Sequence, residues 1–120
     1  MQPEIRDAGY LWDMLDAAET IRKFTGNVKY HEYIAVRKLQ LAVERCIEVI
    51  GEAAGRISQT FRETHPEIPW RLIIAQRNVI AYEYGEIKTE RMYALVTEHI
   101  SELIEKLQKL DMPPIQGDEG

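Results

Sequence analysis

The sequence predicts an all-α fold, an antiparallel bundle of four main helices, and three observations carry that prediction. Apolar residues recur in steps of three and four along most of the chain, which places them on single helical faces. No stretch alternates apolar and polar residues as a half-buried strand does, and there is no internal repeat. The composition, 45% hydrophobic and 29% charged with 7 Gly and 5 Pro in 120 residues, is that of a globular chain and excludes a collagen-like or low-complexity one. One domain is expected at this length, spanning 1–110, with a tail at 111–120 that lacks periodicity and is expected to be disordered.

The first helix runs from Ile5 to Phe24, with Ile5, Ala8, Leu11, Trp12, Leu15, Ala18, Ile21 and Phe24 on one stripe. Gly26-Asn27 stops it as a left-handed C-terminal cap does. The second pattern is the longest, from about His31 to Phe61, with possible breaks near Tyr33–Val36 and near Ser58. Gly51 and Gly55 lie four apart inside it, where close helix–helix approach is the expected reason for them. Glu44, Glu48 and Glu52 form an acidic row that reads as a solvated face or, alternatively, a partner-binding edge. Pro69 is well placed to open the third helix, which continues to about Tyr84 and is expected to end at Gly85. The fourth begins near Lys88 and carries Met92, Leu95, Val96, Ile100, Leu103, Leu107 and Leu110. Apolar residues surround the third helix, so the bundle gains by forming a homodimer.

Charge narrows the function. The net charge is −5, but residues 111–120 hold Asp111, Asp118 and Glu119 without a base, leaving 17 acids and 15 bases, or −2, on the rest. A near-neutral body argues against a protein that coats nucleic acid by charge alone, yet leaves room for a local phosphate site. No apolar run reaches the ~18–20 residues of a membrane span, and the acidic N-terminus is unlike a signal peptide. Cys46 alone forms no internal disulfide, which fits a cytoplasmic location.

Few residues are placed for chemistry. His31, His65 and His99 are scattered, with no ligand partner at helical spacing, so neither a metal site nor a cofactor is expected. His65 reads as a surface turn residue and His99 as a core-edge one. Cys46 reads as apolar filler on the buried stripe. One stretch stands apart: Arg77-Asn78-Val79-Ile80-Ala81-Tyr82-Glu83-Tyr84, polar groups on a helix that otherwise looks buried. Arg77 and Tyr84 share one stripe at 100° per residue, and Asn78 and Tyr82 another. Arg77 and Tyr82 are ~140° apart, so two chains or a loosened last turn are needed to bring them together. From chemistry alone, Arg77 is either half of a buried pair, with Glu83 or a glutamate of the second helix, or a ligand-facing group.

At this stretch the chain resembles a HEPN domain, and more closely the HepT-like toxins paired with small MntA-type nucleotidyltransferase antitoxins. The family motif is Arg-x4-His-x-Tyr, commonly with Asn after the Arg. Arg77, Asn78 and Tyr84 match it, and Gly85 follows. The resemblance extends to Ile50-Gly51-Glu52-Ala53-Ala54 and His65-Pro66-Glu67-Ile68-Pro69-Trp70, and so covers about 5–110.

The resemblance implies the toxin of a type VII toxin–antitoxin system: a helical homodimer whose motif helices meet in a cleft and cut RNA, not DNA, without metal. In that scheme Arg77 holds the scissile phosphate, with Asn78 supporting. The motif histidine handles protons at the ribose 2′-hydroxyl, a task suited to an imidazole whose pKa of ~6.5 lies near working pH. The antitoxin silences the toxin by transferring AMP to the tyrosine matched by Tyr84. Here the chain departs from its family, because the histidine position is Tyr82. Phenols ionise near pH ~10 and are poor general bases at neutrality. General acid–base catalysis is worth ~10²–10⁴-fold, so cleavage is expected to be weak or absent. The alternative is a non-catalytic helical binding partner of a nucleotidyltransferase.

Overall fold

Residues 5–111 are described in the computed structural model; the expected tail beyond Asp111 lies outside them. These residues form seven helices and no strand: α1 (Ile5–Thr25), α2 (Tyr30–Ala35), α3 (Arg37–Arg56), α4 (Gln59–Thr64), α5 (Trp70–Tyr82), α6 (Gly85–Glu98) and α7 (Ile100–Gln108). The four expected helices become seven because the second divides into α2, α3 and α4, and the fourth into α6 and α7.

Each division has a local cause. At Val36 the backbone turns extended, and the buried Gln40 amide donates to the Tyr33 and Ile34 carbonyls at 3.1 and 3.2 Å, satisfying the end of α2. At Ser58 the hydroxyl accepts from the Phe61 N–H at 3.2 Å, capping α4. The Ser58 N–H and hydroxyl both donate to the buried Asp7 carboxylate, at 2.8 and 2.6 Å, which ties the α3–α4 corner to α1. The α6–α7 break falls at His99, where no glycine or proline marks the sequence. Asn27, at φ 66°, supplies the left-handed residue after α1.

The core lies where α1 meets α3 and α7. Leu11, Met14, Ala18 and Ile21 pack with Val43, Ile47, Ile50 and Ala54, and with Met92, Ile104 and Leu107. Phe24, placed on the α1 stripe by periodicity, is exposed. Cys46 is half-buried against the core, and burial, with the Asp16 charge adding, pushes its thiol pKa up; both fit the filler role.

α5 is different. It leans on α3, and Trp70 is its one buried residue. The expectation of a buried third helix fails, because the bundle supplies α5 with only one wall. Its start is well anchored nonetheless. Trp70 Nε1 donates to the His65 carbonyl at 2.9 Å, and the His65 ring lies 4.4 Å from that of Phe61. His65 is therefore a packed residue of the turn before α5 rather than a loose surface one, and its Nδ1 sits 3.0 Å from Glu67 Oε2. His99 is exposed beside Glu98 and lines a pocket with Leu95, Ile100 and Leu103, at the edge of the core. No described helix is long and apolar enough to cross a membrane.

Candidate active site

Gly51 sets how closely α5 approaches α3. A Cβ placed there would lie 2.9 Å from Arg77 Cγ and 3.3 Å from the Ile73 carbonyl oxygen. The missing side chain lets the stem of Arg77 rest on the α3 backbone, and the guanidinium emerges at the surface. The same expectation fails at Gly55, where nothing lies within 4 Å. Gly55 faces solvent.

Arg77 is exposed and makes no ion pair among the described residues. The buried-pair interpretation fails, because Arg77 is exposed and among the described residues pairs with neither Glu83 nor a glutamate of the second helix. Glu83 Oε1 lies 3.8 Å from Arg91 Nη2, and Glu44 Oε1 lies 3.2 Å from Lys88 Nζ. That last pair is largely buried, so the acidic row is not a solvated face: Glu44 is covered, and Glu48 and Glu52 are half-buried. Lys88 Nζ also donates to the Ile80 carbonyl at 3.4 Å and so fastens α6 to the last turn of α5.

Arg77, Asn78 and Tyr82 line one open groove of about 630 Å³, together with Arg71 of α5 and Glu48 of α3. Ile74, Ala75 and Ala81 form its apolar floor. α5 stays helical through Tyr82, so a single chain brings these groups together without a loosened turn. Tyr82 is 75% exposed, and its ring is open to a ligand. The structure separates Tyr84 from the Arg77 stripe. Glu83 and Tyr84 are extended, α6 begins at Gly85 with φ 58°, and Tyr84, 79% exposed, stands on the connection. Gly85 thus opens a helix where it was expected to end one.

Arg71 and Glu48 were not among the expected site residues. A signal was present for Arg71: Ile74, Ala75, Asn78, Ala81 and Tyr82 lie three, four, seven, ten and eleven residues beyond it and so share its face of the helix, whereas nothing in the sequence points to Glu48. Among the described residues no three His, Cys, Asp or Glu side chains cluster as metal ligands.

The groove thus offers two guanidinium groups, the Asn78 amide and the Tyr82 hydroxyl as hydrogen-bond donors, beside the Glu48 carboxylate. The chain belongs to the HepT-like ribonuclease family, whose model, described as "Ribonuclease HepT-like", matches residues 14–110. It is 36% identical over 101 residues to a Thermococcus cleftensis protein named "Probable ribonuclease HepT", covering 84% of this chain and 92% of that one. Two Methanocaldococcus jannaschii proteins, both named as RNases by inference, are similar as well. One is 30% identical over 99 residues (82% of this chain, 91% of the relative), the other 31% over 101 residues (84% of each). No solved structure matches the chain.

Proposed function

We propose that the α5 groove is the working site of a metal-independent endoribonuclease, the toxin subunit of a toxin–antitoxin pair. The observation that carries this is the unpaired Arg77 guanidinium in one groove with Asn78 and Tyr82, in a chain of the HepT-like ribonuclease family. Arg77 holds the scissile phosphate through charge-assisted hydrogen bonds, and the Asn78 amide adds a neutral donor. Metal-independent cutting needs the neighbouring ribose 2′-oxygen to attack phosphorus while the bond from phosphorus to the 5′-oxygen breaks, leaving a 2′,3′-cyclic phosphate and a 5′-hydroxyl. An acid must supply a proton to the departing oxygen, and a base must take the 2′ proton. The family histidine would do this, and Tyr82 stands in its place; a phenol holds its proton at neutral pH, so this chain cuts weakly or not at all.

A second copy completes the cleft. Leu72 of α5 is 67% exposed, and α5 packs mainly on α3, which leaves its outer faces for a partner chain. The exposed Tyr84 is the acceptor for AMP from an MntA-type nucleotidyltransferase: its oxygen attacks the α-phosphorus of ATP, pyrophosphate leaves, and the added phosphate sits beside the cleft and repels RNA. A second reading draws on Tyr82 itself: without the histidine, the chain serves as a non-catalytic helical partner of the nucleotidyltransferase.

The test separates these readings. Incubation with ATP and the nucleotidyltransferase adds the mass of AMP to the peptide Asn78–Lys88 if Tyr84 is the target, and Tyr84→Phe abolishes it. Tyr82→His is expected to create RNA cleavage in the presence of a chelator and arrest growth on expression. Absence of cleavage by that variant leaves only the non-catalytic reading.

A further inference from the structure

The groove holds a second unpaired arginine that the Arg-x4-His-x-Tyr motif does not include. Arg71 is exposed, makes no ion pair among the described residues, and lines the same groove as Arg77. The groove's one acid, Glu48, has its own base, with Oε1 3.8 Å from Arg45 Nη1. Six residues separate the two arginines, which is ~9 Å along a helix axis. Ile74 and Ala75 line the same groove and offer apolar surface, and Tyr82 offers an exposed ring at the far end.

We propose that this groove is a track for single-stranded RNA laid along α5, with Arg77 on the phosphate at the cut and Arg71 on a neighbouring phosphate. The inference rests on the ribonuclease reading and adds a binding residue and a strand class to it. Phosphates repeat every ~3.4 Å of axis in a stacked strand and are further apart in an extended one. Two arginines offset by ~9 Å of axis and ~120° of turn therefore reach different phosphates, a few nucleotides apart on one strand. A base between them packs on Ile74 and Ala75, and a base beyond Arg77 stacks on Tyr82. Both contacts require unstacked bases, which a duplex does not offer. Arg71 is a binding and positioning residue here: it fixes the register of the strand, so that one phosphate and its 2′-oxygen fall at Arg77 and Tyr82. It also explains how a near-neutral chain grips RNA, with few but well-placed charges instead of a basic surface.

The test reads binding by the whole chain, so weak cleavage does not obscure it. The probe is a labelled 2′-O-methyl RNA strand of about 12 nucleotides, whose blocked 2′-oxygens prevent cutting. Its affinity is followed by fluorescence anisotropy across a range of salt concentrations. Each phosphate contact on a single strand contributes ~0.7 to the slope of log affinity against log salt. Arg71→Ala and Arg71→Gln are each expected to lower the slope by about 0.7 per site, as is Arg77→Ala, and the Arg71→Ala/Arg77→Ala double variant by about 1.4. Arg71→Lys keeps the charge and the slope, and Lys109→Ala, at an exposed position just after α7, leaves binding unchanged. Duplex RNA of the same length is expected to bind more weakly and to be indifferent to Arg71→Ala. If Arg71→Ala and Arg71→Gln leave the slope intact while Arg77→Ala lowers it, the track is wrong and the ribonuclease reading stands. Duplex binding as tight as single-strand binding overturns the strand class. No salt-dependent binding by the unaltered chain overturns the track and the ribonuclease reading together.

Discussion

Gly51 of α3 lies beneath Arg77 of α5, and the 2.9 Å that a Cβ would leave to Arg77 Cγ means that the arginine's position depends on a hydrogen in another helix. The Arg77 stem is flexible and can yield, but the Ile73 carbonyl at 3.3 Å belongs to the α5 backbone and cannot. Gly51→Ala is therefore expected to shift α5 and weaken RNA binding, while the gain in helix propensity of ~1 kcal/mol offsets much of the strain in stability. Gly51→Val should go further and lower stability by about 1–3 kcal/mol. Gly55→Ala is the control: it meets open space, and an increase of ~1 kcal/mol in urea unfolding, with binding unchanged, is expected.

The Glu44–Lys88 pair makes a prediction about the end of the motif helix. Their side chains are 11% and 17% exposed, and Lys88 also holds the Ile80 carbonyl. Lys88→Met strands a buried carboxylate and is expected to cost about 3–5 kcal/mol in chemical denaturation. Glu44→Leu combined with Lys88→Met removes the stranded charge and should recover most of that loss. A single-variant loss under 1 kcal/mol would mean that the pair is solvated in solution.

Tyr33 predicts the alkaline behaviour. Its ring is fully buried among Tyr93 and its neighbours, and its hydroxyl has no hydrogen-bond partner among the described residues. Burial first, then the Glu44 charge, pushes its pKa up from the ordinary 10.0, and burial raises the Cys46 thiol from 9.0. Both groups bind their protons more tightly in the folded chain. Their contribution to stability is full below the ordinary values and is lost as pH rises through and beyond them. Thermal melts should be flat with respect to these groups to about pH 9 and then fall. Tyr33→Phe removes an unsatisfied buried hydroxyl, so it should be neutral or stabilising by up to ~1 kcal/mol, and it should flatten the alkaline fall. Destabilisation by more than that would show that the hydroxyl has a partner.

Much of this was legible in the sequence, and the failures share a cause. The α1 stripe, the breaks near Val36 and Ser58, and the close approach at Gly51 all follow from spacing or local chemistry. Gly85 has the left-handed φ of 58° that favours glycine, but it lies past the extended Glu83 and Tyr84, so it opens α6 instead of capping α5. What ends α5 lies elsewhere, in the extended Glu83 and in Lys88 reaching back to Ile80. Glu44 and Glu48 read as solvated because a charge on a helix face does not announce the lysine or the groove that will cover it. Arg71 shares a stripe with Asn78 and Tyr82, but periodicity does not say which face of α5 is left uncovered to form a groove. Long-range pairing decided these cases, and periodicity carries none of it.

The central claim is that Arg77 and position 82 act on one phosphodiester. The most direct measurement compares RNA cleavage by the Tyr82→His chain with cleavage by the Tyr82→His/Arg77→Ala chain, both in chelator. A base restored at position 82 should raise cleavage ~10²–10⁴-fold over the unaltered chain, and loss of Arg77 should remove that gain with the fold intact by circular dichroism. Cleavage that survives without Arg77, or fails to appear with histidine at position 82, would contradict the account.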